Sequence, residues 1–363
     1  MLYIRTDANK SIAAGHVMRC LSIAKALREM GEDTTFITSE SDAADIIHKN
    51  GFKYILIAGA WNDLNLEIAQ IQVLINKYKI KKMLIDSYYI TNEYLLAIPR
   101  TVKIIYIGSI REKFENLSLV INYSSTYDEK FYKLNYRDKG IKTLLGVKYA
   151  PLREEFQRLL PIRGGTVVKS VLISTGSTDR DNTTLKIIKK ILNICICRNI
   201  TINVIVGTLN SNYDEINLLK KDYSNIVIDS NVSNMAEVIR KNQIVITASG
   251  TTLYEVCACG IPAISFSLVK EQENEGQRFD FDDIVPYAGS FAEKDKINTT
   301  LCNIKKILLN YLSSPEKLYE RSEKMRDYID GEGSIRIGKE IIMLWILCFT
   351  QLIDSVYNSI GLM

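Results

Sequence analysis

The feature that most constrains this chain is a set of short runs that are apolar along most of their length instead of at every second position. "LYIRTD", "TTFIT", "YILIA", "KMLIDS" and "KIIYIG" occur in the first third, with helical spacing between most of them. A second series begins after "LLPIRGGTVVK": "SVLIST", "INVIVG", "NIVI", "QIVITA" and "PAISFS". A strand that is apolar on both sides is covered on both faces, which is the signature of a parallel sheet between helices. At 363 residues the chain exceeds one ordinary core. The expectation is therefore α/β, with two doubly wound parallel-sheet domains facing a cleft. The boundaries fall at 1–162 and 166–335, with a hinge at Pro161–Gly165 and a helical tail over 336–363.

Composition excludes several classes. Net charge is +4, and the basic residues are scattered, with short clusters such as "KYKIKK" that read as solvated faces. No nucleic-acid partner is expected. The apolar run "IIMLWILCF" is shorter than the roughly 20 residues of a membrane span. It reads as a packed terminal helix, so no integral membrane span is expected. None of the seven cysteines forms a CxxC pair and no histidine lies near a pair. No metal site is expected. An odd cysteine count behind a charged, strand-like N-terminus suggests reduced thiols and a cytoplasmic setting. Cys257 and Cys259 lie on one apolar helical segment and read as core.

Ligands of doubly wound sheets bind at the carboxyl ends of the strands, where loops feed helix N-termini. Three such loops are chemically loaded: "TDANKSIAAGH", "STGSTDRDN" and "TASGTTLYE". Each puts glycine or small hydroxyl residues at a helix start, where N–H groups and the helix dipole favour an anion. None is a GxGxxG or Walker loop, so ordinary dinucleotide or triphosphate binding loses support. Together they suit a diphosphate.

His16 is one of only two histidines. It falls at the N-terminal edge of a helix, whose positive end favours the neutral, proton-accepting ring. The bland alternative is a capping or surface histidine. Gly15 lets a ligand approach the backbone. Asp7 and Asp86 end two strands, and either can orient the imidazole or accept a substrate hydroxyl, or simply cap a loop. Glu255 follows a small-residue loop, and "KEQENEGQ" gathers amides and acids at another strand end.

With these residues in view, "IRTDANKSIAAGHVMRCLSIAKAL" resembles the opening of the nucleotide-sugar hydrolases of the pseudaminic acid pathway and their spore-coat polysaccharide relatives. The similarity continues in order through "LIDSYYIT", "LLGVKYAPLREEF", "VLISTGSTDRDNTT", "ITASGTTLYEVCACGIPAI", "KEQENEGQ" and "IDGEGSIRIGKEI". That family is similar to the GT-B glycosyltransferases. The resemblance implies a GT-B-like fold and metal-independent hydrolysis of UDP-2,4-diacetamido-2,4,6-trideoxy-β-L-altropyranose to UDP and the free sugar. It implies His16 as the base for water, with Asp7 and Asp86 as further catalytic candidates. Gly15, Arg19, Tyr88, Gly176, Ser177, Gly250, Thr251, Glu255, Glu271, Gln272 and Asn274 become candidate substrate contacts, with Glu255 at the ribose. No cofactor is implied. The partner is a small-molecule nucleotide sugar, and the chain is expected to act as a monomer or weak dimer. The alternative is a GT-B glycosyltransferase using a UDP-sugar donor. Where many relatives have a double glycine, this chain has Gly176 and Ser177.

Overall fold

The computed structural model describes residues 1–109, 111–161, 167–176, 179, 181–207, 210, 212–230 and 232–344. The chain divides into two compact units. One comprises Met1–Glu154 and the stretch that resumes at Glu332; the other is Glu155–Gly331.

The first unit is built on seven parallel strands: β1 (Leu2–Thr6), β2 (Thr34–Thr38), β3 (Lys53–Leu56), β4 (Lys82–Asp86), β5 (Lys103–Ile107), β6 (Leu119–Asn122) and β7 (Lys142–Leu145), in the order β3-β2-β1-β4-β5-β6-β7. Successive side chains of a strand feed opposite cores. Tyr3, Met83, Ile85, Ile104 and Tyr106 enter one apolar cluster. Leu2, Ile4, Leu84, Ile105 and Ile107 enter the other. This two-sided burial is what the unalternating strands require. The edge strand β3 departs from it and is largely exposed. Strands β6 and β7 were not among the runs picked out from the sequence.

The order reverses at β1, which pairs with β2 on one side and β4 on the other. Thr6 stands opposite Asp86 in register. The loops leaving β1 and β4 therefore start side by side, at the switch point where such sheets bind ligands. Helix α1 (Gly15–Glu29) follows the first loop.

The second unit has six parallel strands: β8 (Ser170–Ser174), β9 (Thr201–Ile205), β10 (Ile226–Asp229), β11 (Ile244–Ala248), β12 (Ala263–Ser267) and β13 (Tyr287–Ser290), in the order β10-β9-β8-β11-β12-β13. Here the switch point lies between β8 and β11, with Ser174 opposite Thr247. Edge strand β10 alternates between buried and exposed, and β13 was not anticipated.

The C-terminal stretch differs from the expected division. A helix over 333–344 belongs to the first unit instead of forming a separate tail. Its Ile337 and Ile341 join the cluster of Leu2 and Leu27. Ser334 Oγ donates to the carbonyl of Leu152 at 3.2 Å. The expected hinge beyond Pro161 and the tail beyond 344 lie outside the described residues. Among the described residues, no helix is long and apolar enough to cross a membrane. The six described cysteines are unpaired. Cys257 and Cys259 are buried as expected, and burial pushes the Cys259 thiol up to about 12.

Candidate active site

The carboxyl edge of β1 and β4 gathers the chemistry of the first unit. Asp86 ends β4 and is fully buried. His16 is the second residue of α1, and its Nδ1 lies 2.6 Å from Asp86 Oδ1. One turn on, Arg19 donates from Nε to Asp86 Oδ2 at 2.6 Å and from Nη2 to Oδ1. The i, i+3 spacing of His16 and Arg19 puts both side chains on one face of α1. Arg19 also donates to the Tyr123 hydroxyl at 3.1 Å.

Burial alone pushes the Asp86 carboxyl up. The Arg19 charge, with hydrogen bonds from His16 and Arg19, outweighs burial and holds the carboxyl below its ordinary range. An ionised oxygen 2.6 Å from Nδ1 requires a proton between them. The imidazole therefore donates through Nδ1, which makes Nε2 the nitrogen that can act as a base in the neutral ring. Tyr88 meets the ring edge-on, with centroids 4.5 Å apart.

A second network lies beneath Asp7. Arg5, on β1, is buried and donates to both carboxylate oxygens of Glu67 at 2.6 Å and to Asp7. Asp7 accepts further hydrogen bonds from Thr38 Oγ1 at 2.8 Å, Ser39 N at 2.8 Å and Ser39 Oγ at 3.1 Å. With so many donors, Asp7 is committed to the scaffold. Of the two strand-end aspartates, Asp86 is the one that orients the imidazole. Together the two networks set two guanidinium groups, Arg5 and Arg19, against three carboxylates, Asp7, Glu67 and Asp86.

Asp7, Ile12, His16, Trp61, Asp86, Ser87, Tyr88 and Tyr89 line a shallow hollow. Gly15 opens α1 at the surface, and a Cβ there would meet nothing within 4 Å. The structure thus brings His16, Asp86, Arg19, Tyr88 and Asp7 together. Within the unit, Arg19 donates to Asp86 and Tyr123.

The second unit presents two loops at its switch point. Gly250 precedes α9 (Thr251–Cys259), whose first turn has no side-chain cap. Gln272 lies against this glycine, with Nε2 3.4 Å from where a Cβ would stand. Its Oε1 accepts from Leu268 N at 2.9 Å. Glu255 sits further along α9 and is buried. Glu271 and Asn274 are exposed.

Gly176, beyond β8, adopts a positive φ of 95°, a conformation glycine takes at no steric cost. Ser177 lies outside the described residues. The helix after this loop, α6 (Thr183–Cys197), does not offer the bare N-terminus expected. The buried Asp179 carboxylate accepts from Thr183 N at 2.7 Å and Thr184 N at 3.0 Å. Of the three loops, this one already has its anion.

Sequence reading missed Arg5, Glu67, Tyr123, Trp61 and Tyr89. Only Trp61 carried a signal, as an aromatic inside the turn-forming run "AGAWND".

Comparison with known proteins adds three findings. Residues 162–328 match the glycosyltransferase family 28 C-terminal domain. An uncharacterized protein of Methanocaldococcus jannaschii, MJ1062, is 31% identical over 291 residues, covering 77% of this chain and 57% of that protein. The chain thus spans little more than half the length of this relative. Among solved structures, the glycotransferase of kitacinnamycin superposes with a TM-score of 0.67 at 13% identity, over 94% of this chain and 98% of that one. MurG of Acinetobacter baumannii gives 0.63 at 13% identity, over 94% and 99%. The chain has the GT-B, glycosyltransferase-like fold.

Proposed function

We propose that this chain hydrolyses a nucleotide sugar, releasing UDP and a free 2,4-diacetamido-2,4,6-trideoxy hexose for nonulosonic acid biosynthesis of the pseudaminic type. The observation that carries the reading is the His16–Asp86 pair, with Nδ1 bound to the carboxylate at 2.6 Å and Nε2 left as a base. In this mechanism Nε2 takes a proton from water as the water oxygen bonds to the anomeric carbon. The bond from that carbon to the UDP oxygen breaks, and the nucleotide leaves with the electron pair. Asp86, held by Arg19, balances the imidazolium that forms. The departing diphosphate is met by N–H groups at the uncapped start of α9, with Gly250 and Thr251 at its mouth. Glu255 accepts from the ribose. Glu271, Gln272 and Asn274 are the candidate sugar contacts, and Gly176 and Ser177 the remaining candidate nucleotide contacts. The reaction uses no metal. Its setting is cytoplasmic, where unpaired thiols persist.

A second reading has its own support. The family 28 match supports a glycosyltransferase equally, in which the same base would deprotonate an acceptor hydroxyl instead of water. One experiment separates the two. The protein is incubated in buffer, with excess EDTA, with UDP-, GDP- and CMP-linked diacetamido sugars, and the products are read by mass spectrometry. Free sugar and UDP without any acceptor support the hydrolase. Nucleotide release only after an acceptor is added would replace it with the transferase.

A further inference from the structure

The face of α1 that carries His16 and Arg19 carries a third residue directed at Asp86. Cys20 follows His16 by one full turn, so the i, i+3 and i+4 places of a single helix face converge on one carboxylate. Cys20 Sγ donates to Asp86 Oδ2 at 3.4 Å, on the oxygen that also accepts from Arg19 Nε at 2.6 Å. The other oxygen, Oδ1, takes His16 Nδ1 at 2.6 Å and Arg19 Nη2. Each carboxylate oxygen thus has one arm of the guanidinium fork and one further donor.

Cys20 is fully buried and packs in the cluster of Leu2, Ile4 and Val17. Burial first, and then the Asp86 charge, push its thiol up, against a smaller pull from Arg19. The sulfur therefore keeps its proton near neutral pH and has it to give. A buried cysteine is ordinarily a small core residue; this one also faces an ionised oxygen. The last torsion of an aspartate is broad, so the plane of the Asp86 carboxylate is set by its partners. Arg19 reaches it on a long side chain that is itself braced by the Tyr123 hydroxyl at 3.1 Å. Cys20 has one torsion before the sulfur and a backbone fixed inside α1, so it holds Oδ2 at little cost in side-chain freedom.

We propose that Cys20 is a positioning residue: its S–H holds Oδ2 of Asp86 and so fixes the plane of the carboxylate that orients the His16 ring. The inference rests on the hydrolase reading for its kinetic consequence alone, since the hydrogen bonds belong to the protein itself.

The test sets three substitutions against one another. Cys20→Ala removes the donor, Cys20→Val removes it while filling the space, and Cys20→Ser restores a donor of similar size. The proton between His16 Nδ1 and Asp86 is read as a far-downfield line in the proton NMR spectrum of the full chain with isotope-labelled histidine. Its loss in His16→Asn assigns it, the only other histidine being His48. The expected result is that Ala and Val displace the line and lower kcat about tenfold with KM within about twofold, while Ser recovers the line and most of kcat. A cysteine that only fills the core predicts the reverse order, with Val tolerated best and Ser worst. An unmoved line in Val, undiminished kcat in an active protein, or Ser no better than Ala overturns the proposal. Line and turnover are judged separately. A line that follows the donor in a protein that turns over no nucleotide sugar keeps Cys20 in this role and sinks the hydrolase alone.

Discussion

Nδ1 of His16 and Oδ1 of Asp86 are 2.6 Å apart although 70 positions separate them in the chain. The contact exists because β1 and β4 are neighbours and α1 begins directly above their ends. Replacing His16 with Asn removes the base and should lower turnover by about 10²–10⁴-fold. UDP affinity should stay within a few-fold, since the proposed diphosphate contacts lie in the other unit. Steady-state rates and calorimetry with UDP check both halves. Near-normal turnover would leave His16 as an orienting residue, and the base would have to be sought at Glu271, since Asp7 and Asp86 are held by their own donors.

Asp86 ties stability to acidity. Its folded-state value lies below the ordinary 3.8, so the stability it contributes is present above 3.8 and is lost as pH falls through the lowered value. Asp86→Ala strands the Arg19 guanidinium and should cost about 3–5 kcal/mol near neutrality. Urea midpoints of wild type and variant should converge on acidification below 3.8. A gap that stays constant through that range would show that the ion pair contributes nothing.

Gly15 separates folding from ligand approach. A Cβ there meets no protein atom within 4 Å, so Gly15→Ala should leave the unfolding free energy within about 1 kcal/mol of wild type. If the substrate crosses this backbone, KM should rise at least several-fold. Unchanged kinetics would mean that the ligand passes elsewhere.

Glu255→Ala should weaken UDP binding by about ten- to a hundredfold, the loss of one charged acceptor worth about 1.5–3 kcal/mol. Isothermal titration with UDP and with deoxy-UDP reads this directly. The variant should bind both alike. If it still prefers the ribonucleotide, Glu255 is not the ribose ligand.

The architecture was legible because it is written in local patterns. Runs such as "MLI" in β4 and "IVI" in β11 are apolar throughout, and only a doubly covered sheet buries them. The strands that escaped, β6, β7 and β13, are four residues each, and β13 contains glycine, a poor strand former. His16 and Asp86 were legible because strand ends and helix starts are where such folds place ligands. Their pairing was not, since Asp7 and Asp86 offer the same group at equivalent positions. The choice between them was made by Arg5, Thr38 and Ser39, which claim Asp7 through contacts spanning up to 32 residues. The hold of Arg19 on Asp86 was not legible for the same reason, since it spans 67 positions of the chain.

The helix over 333–344 has a consequence for the order in which the molecule can be made. Ile337 and Ile341 complete a core that begins with Leu2, yet the whole of Glu155–Gly331 is synthesised in between. At about 5–20 residues per second on the ribosome, the nascent first unit waits on the order of ten to forty seconds for its last helix. During that interval the groove over Leu27 and Met30, which Gly338 later approaches, is open to chaperones. The second unit, contiguous in sequence, has no such wait and is free to reach its native state first.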